Sequence, residues 1–133
     1  MTRHRYIAPP REAVDPARFD HPIYAAYAAH RDWFASPDWP GIDALDAALP
    51  SGGPRFAEQD RRLLADGLHY EIRIAERGAI ATRTGNWHDL FNAAVWCRYP
   101  ALKRALNARQ CAHIARMGPR ERNRAQYALT QFD

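Results

Sequence analysis

A chain of 133 residues is one domain's worth of protein, long enough to enclose a single core. With 47% hydrophobic and 26% charged residues it sits near the globular average, which excludes a fibre or a wholly disordered polymer. The net charge of +4 is unevenly placed, −2 over residues 1–66 and +6 over residues 67–133, and every basic residue except Lys103 is arginine.

No apolar run approaches the roughly 20 residues of a membrane span. Ile23-Tyr24-Ala25-Ala26-Tyr27-Ala28-Ala29 is closed at once by His30-Arg31-Asp32. The basic start, Met1-Thr2-Arg3-His4-Arg5, runs into Pro9-Pro10 where a signal peptide has its apolar centre, so an unexported, soluble, cytoplasmic chain is expected. Cys97 and Cys111 lie in no paired spacing. One disulfide between them is formally open, but the reading taken is two ordinary thiols in a reducing compartment, with no zinc site.

Three prolines and alternating charges predict an extended N-terminal arm over residues 1–20, ahead of a single mostly helical domain over 21–133. A helix is expected from Pro22 to about Phe34, capped by Asp20 or His21, with Ile23, Ala26, Tyr27, Trp33 and Phe34 as its buried stripe. Turn chemistry follows at Ser36-Pro37-Asp38-Trp39-Pro40-Gly41, then short helices over 42–49 and 56–64 around the loop Ser51-Gly52-Gly53-Pro54. Tyr70, Ile72 and Ile74 alternate with polar residues, the period of a half-buried strand. Gly78 would turn it back into a second strand over 79–82, a hairpin lying on helices. Helices are expected over 87–99, 100–117 and 120–131, divided by Pro100 and Gly118-Pro119. The fold class is mainly α with a small β-hairpin (α+β), one compact helical domain.

With Trp87 at 0° and about 100° per residue, Leu90, Phe91, Ala94, Val95 and Cys97 join Trp87 in a broad core stripe. His88, Asp89, Asn92 and Trp96 fall on the other face, at spacings that let neighbours touch. Asn86 and Asp89 have the spacing of an N-cap and a carboxylate at the helix's positive end, a structural role that alone accounts for both. His88 reads either as bonded to a loop carbonyl or, beside Asp89, as an acid/base residue working near neutral pH. Trp96 reads as packing or as a ligand contact, and Arg83, just before a helix N-terminus, as an anion contact. Thr82 and Thr84 are near in sequence, but neither is visibly paired as a nucleophile.

In the next helix Ala101, Ala105, Ala108, Ala112 and Ala115 share a face of small side chains, read as helix-packing surface and as a route to self-association. Leu102, Leu106 and Met117 mark a second apolar edge. Arg109, His113 and Arg116 group on another side, followed by Arg120, Arg122 and Arg124. That basic surface is either a solvated face of an arginine-rich composition or a contact for nucleic acid or an acidic partner, though no RNA-binding signature accompanies it.

Phe56-x-x-Gln59, Tyr70-Glu71, Ile74, Gly78 and above all Thr82-Arg83-x-x-Asn86-Trp87-His88-Asp89-Leu90-Phe91-Asn92-Ala93 carry a family resemblance. Val95-Trp96, Tyr99-Pro100, Lys103, Leu106-Asn107 and Ala128-Leu129-Thr130 with Phe132-Asp133 continue it. Over about residues 40–133 the chain resembles the bacterial family of domain of unknown function 3025. The resemblance implies a grouping and no activity, cofactor or partner. Two departures are noted: Ala81 stands where proline is expected, and relatives are expected to continue past Phe132-Asp133, so the chain reads as a fragment or a short member.

Two functions are therefore expected to compete. One is a hydrolase-like enzyme with His88, Asp89 and Asn92 as catalytic residues and Arg83, Trp96 and Asn86 on the substrate, no metal being called for and the cofactor open. The other is a non-catalytic binding module using Arg109, Arg116, Arg120 and Arg124. An assembly role through the alanine face is a third.

Overall fold

The computed structural model describes residues 7–117. The chain divides into two compact units, residues 1–40 and 41–133. The helix expected over 120–131, with Arg120, Arg122 and Arg124, lies outside the described residues.

In the first unit the stretch expected as an extended arm carries 3-10 turns over Arg11–Ala13 and Pro16–Asp20, the second opened by Asp15, whose carboxylate accepts from Ala17 N at 3.0 Å. The expected helix after Pro22 is a 3-10 helix over Pro22–His30, irregular at Tyr27, passing into α1 over Arg31–Ala35. Nothing in Pro22–His30 is buried, and Ile23 is exposed. The expected stripe assumed 3.6 residues per turn; at three per turn those positions no longer line up on one face. Among the described residues of this unit Phe19 and Phe34 are the buried rings, 5.4 Å apart. The buried Arg11 guanidinium donates to the Ser36 and Trp33 carbonyls and lies over the Trp39 ring.

The second unit begins with α2 over Ile42–Ala47. The expected helix over 56–64 is instead β1 over Arg55–Glu58 followed by α3 over Arg61–Leu64, which Asp60 caps through Leu63 N at 2.8 Å. Asp46 fixes the start of β1, accepting from Arg55 Nε at 3.0 Å and Phe56 N at 2.8 Å. The expected strand at 69–74 is a helix, α4 over Tyr70–Arg77. Its buried positions are Arg73 and Ile74, and Arg73 is acceptable inside because Asp66 meets it at 2.7 Å, both side chains buried. Period-two reading of Tyr70, Ile72 and Ile74 could not see that an arginine takes a core position.

Gly78 closes α4 in the left-handed conformation, φ 62°, with its N–H on the Ile74 carbonyl. β2 follows over Ala79–Thr82, as expected, but no hairpin forms. β2 pairs in parallel with β1, Phe56 opposite Ile80 and Glu58 opposite Thr82. Parallel neighbours need a crossover, which α3 and α4 supply. Ile80 is completely buried.

α5 spans Trp87–Arg98 and α6 spans Pro100–Met117, both where expected. Leu45, Phe56, Ile74, Ile80, Leu90, Ala93, Ala94, Trp96, Leu106 and Ile114 form the core. α6 packs on α4 and α5. Among the described residues the chain is mainly helical with one small sheet, an α+β fold. No helix among the described residues is long and apolar enough to cross a membrane.

Both helices are turned from the expected orientation. On α5 the buried residues are Asp89, Leu90, Ala93, Ala94 and Trp96, an arc rotated by roughly 100° from the expected stripe. Of the helix's two indoles Trp96 is buried and Trp87 only half-buried, and the Asp89 carboxylate is held by hydrogen bonds from Arg83. On α6 the alanines at 101, 105, 108, 112 and 115 are all exposed, while Lys103, Leu106, Asn107, Gln110 and Ile114 face inward. Leu102 and Met117 of the expected second edge are exposed too. Alanine has little surface to withdraw from water, so longer side chains win the inner face.

Candidate functional site

The N-terminus of α5 is built as a clasp. Asn86 adopts extended backbone and caps the helix, its Oδ1 accepting from Asp89 N at 3.0 Å. Asp89 reaches back across the turn. Its Oδ2 accepts from Arg83 N at 2.8 Å and Arg83 Nε at 2.9 Å, and its Oδ1 from Arg83 Nη2 at 3.1 Å. Burial pushes the Asp89 carboxyl up, but the Arg83 hydrogen bonds, His88 and the Arg83 amide outweigh it and hold the group below its ordinary range. Arg83 is driven the other way by the same bonds, above its ordinary value.

His88 stands on the open side of this clasp. Its Nδ1 lies 3.1 Å from Asp89 Oδ1, while 77% of its side chain is exposed. An N–H on Nδ1 pointing at a carboxylate leaves the lone pair on Nε2, the tautomer a general base uses. The expected group is thus only partly assembled: Arg83, Asn86, His88 and Asp89 come together, and Asn92 and Trp96 do not join them. Asn92 donates from Nδ2 to the Tyr70 hydroxyl at 3.0 Å, tying α5 to α4. Trp96 is buried at the far end of α5, with Lys103 Nζ 5.7 Å from its ring.

The threonines are engaged elsewhere. Thr82 is buried and donates to the Ile80 carbonyl at 2.9 Å; Thr84 donates to Glu58 Oε1 at 3.4 Å. The thiols are weak candidates as nucleophiles. Burial, then Asp46, pushes Cys97 up to about 11 against a smaller pull from Arg55; burial, Glu71 and Glu76 raise Cys111. Among the described residues no three His, Cys, Asp or Glu side chains are grouped to hold a metal ion. Of the expected basic surface, Arg109 and Arg116 are exposed on the same side of α6, while Arg120 and Arg124 lie outside the described residues.

A second concavity, absent from the sequence reading, lies at the other end of α5. A cleft of about 360 Å³ is lined by the Gly52-Gly53-Pro54 loop, the end of α4, Trp96, Arg104 and Asn107. The paired glycines and the Arg104/Asn107 spacing on α6 were its only signals in the sequence.

No curated protein and no solved structure is similar enough to match the chain. A family model does match, over residues 54–133, from the residue before β1 onward, and so covers β1, β2, α5 with its Asn86–Asp89 clasp, and α6. Its description is protein of unknown function (DUF3025), and with more than half of its length matched, the chain belongs to the DUF3025 family.

Proposed function

We propose that the protein is a hydrolase-like enzyme of the bacterial cytoplasm in which His88 activates a water molecule, oriented by Asp89. The observation that carries the reading is the 3.1 Å contact from His88 Nδ1 to a carboxylate that Arg83 already holds, with the imidazole open to solvent. Asp89 holds the imidazole by Nδ1, which leaves Nε2 to take the proton of the attacking water. Arg83 acts by holding Asp89, and Asn86 by capping the helix that presents both. No side-chain nucleophile is needed when water attacks directly. The two unpaired thiols fit a reducing compartment.

The test is turnover of p-nitrophenyl acetate and bis-p-nitrophenyl phosphate by the full chain. His88→Ala is expected to lower the rate about 100-fold or more, with the thermal midpoint unchanged because the side chain is exposed. Wild-type activity in that variant, or no turnover of either ester by the wild type, rejects the reading.

One observation favours a second reading, a polyanion-binding module: Arg109 and Arg116 sit about 20° apart on the exposed side of α6. It requires binding to a single-stranded oligonucleotide at low salt that weakens steeply as salt rises, with a shallower slope in Arg109→Ala/Arg116→Ala. Absence of binding at low salt rules it out.

A further inference from the structure

The cleft between the Gly52-Gly53 loop and α6 carries an inference independent of His88. It sits by Trp96, about 12 Å along α5 from the acid/base pair. Its volume, about 360 Å³, falls within the 300–1,000 Å³ span of small-molecule sites.

Two polar groups in it are unusual. Asn107 is only 8% exposed, and its Nδ2 is held by Glu71, at 2.9 Å from the backbone carbonyl and 2.6 Å from Oε2. With the amide nitrogen anchored there, the polar atom left is Oδ1, an acceptor that takes no hydrogen bond among the described residues. Arg104 also lines the cleft and makes no ion pair or hydrogen bond among the described residues. Its guanidinium lies across the glycine loop: a Cβ built on Gly53 would stand 3.8 Å from Arg104 Nη1. The loop therefore leaves open the space beside that guanidinium. A forked cation and a fixed acceptor thus share one small concavity, with the Trp96 ring in its wall.

We propose that this cleft binds a small carboxylate bearing a hydroxyl or amino group on the adjacent carbon. The carboxylate pairs with the Arg104 fork, the geometry guanidinium groups favour. The adjacent O–H or N–H donates to Asn107 Oδ1, the acceptor that the Glu71 contacts leave over. A plain carboxylate satisfies only the first contact and a neutral amide only the second. Such a site makes the protein responsive to a hydroxy or amino acid, whatever His88 does.

The test is ¹⁵N-resolved NMR titration of the full chain with L-lactate, L-alanine, propionate and lactamide. Lactate, alanine or both should shift the Gly52, Gly53 and Trp96 indole resonances saturably, and which of them does so identifies the donor. Propionate should bind at least about tenfold more weakly, the loss expected for one buried hydrogen bond, and lactamide not detectably. Arg104→Gln should weaken binding at least about tenfold, and Arg109→Gln should leave it unchanged. Gly53→Leu, whose Cβ meets nothing closer than the Arg104 tip, should block the cleft while leaving the thermal midpoint in place. Non-saturating shifts, equal affinity for propionate, or binding indifferent to both Arg104→Gln and Gly53→Leu would overturn the proposal.

Discussion

Asp89 illustrates how one side chain can serve a helix and a neighbouring imidazole together. A carboxylate this buried is acceptable only while its donors stay in place. Its replacement by Asn keeps the size and removes the charge. Asp89→Asn is expected to cost about 2 kcal/mol, the scale of hydrogen bonds to a charged group, measured by urea denaturation. Asn86→Ala should cost about 1 kcal/mol, the usual value of a cap. Because the folded carboxyl is held below its ordinary value, its contribution is complete above the unfolded value of about 4 and is lost as pH falls through the folded one. Asp66, lowered chiefly by its hydrogen bond to Arg73 and next by the Leu68 amide, acts in the same direction. The urea midpoint should therefore drop on acidification below about pH 4, and Asp89→Asn should flatten part of that drop. An acid limb as steep in the variant as in the wild type would remove Asp89 from the account.

Much of the clasp was legible in the sequence: Asn86 as cap, Asp89 in the first turn and His88 beside it follow from short-range rules. Trp96 was not, because a helical wheel fixes which residues share a face but not which face turns inward. That depends on partners far along the chain, here Lys103 and the packing of α6. The same limit explains α4. Its alternating Tyr70, Ile72 and Ile74 fit a strand, but a helix through the same residues places Arg73 beside Asp66. An ion pair between those two residues is invisible to a hydropathy period. The parallel pairing of β1 with β2 depended on recognising β1, whose four residues are too few to show a period. Gly78, expected at a turn between two strands, ends a helix here in the left-handed conformation. Gly78→Ala should destabilise by about 1–2 kcal/mol, the cost of an L side chain in the left-handed region. Equal stability of the variant by thermal melt would show that α4 can end another way.

The molecule's two units differ in what stabilises them. Residues 41–117 enclose an apolar core from Leu45 to Ile114 with a completely buried Ile80, whereas residues 7–40 rely on Phe19, Phe34 and the buried Arg11 guanidinium. A chain of residues 41–133 is therefore expected to unfold cooperatively by itself, with near-UV circular dichroism reporting a fixed Trp96. A broad transition without that signal would show that the first unit is required.

The inner face of α6 has a consequence for alignment. Two leucine-lined helices can slide past one another by a turn, about 5.4 Å, and still bury oil against oil. α6 cannot, because alongside Leu106 and Ile114 it presents Lys103, Asn107 and Gln110, and Asn107 fits only where the Glu71 carbonyl and carboxylate wait for it. Displacement by one turn would strip those acceptors and leave a carboxamide dry. The polar seam works as a vernier that admits a single setting between α4 and α6, and it thereby fixes where Arg104 stands over the glycine loop.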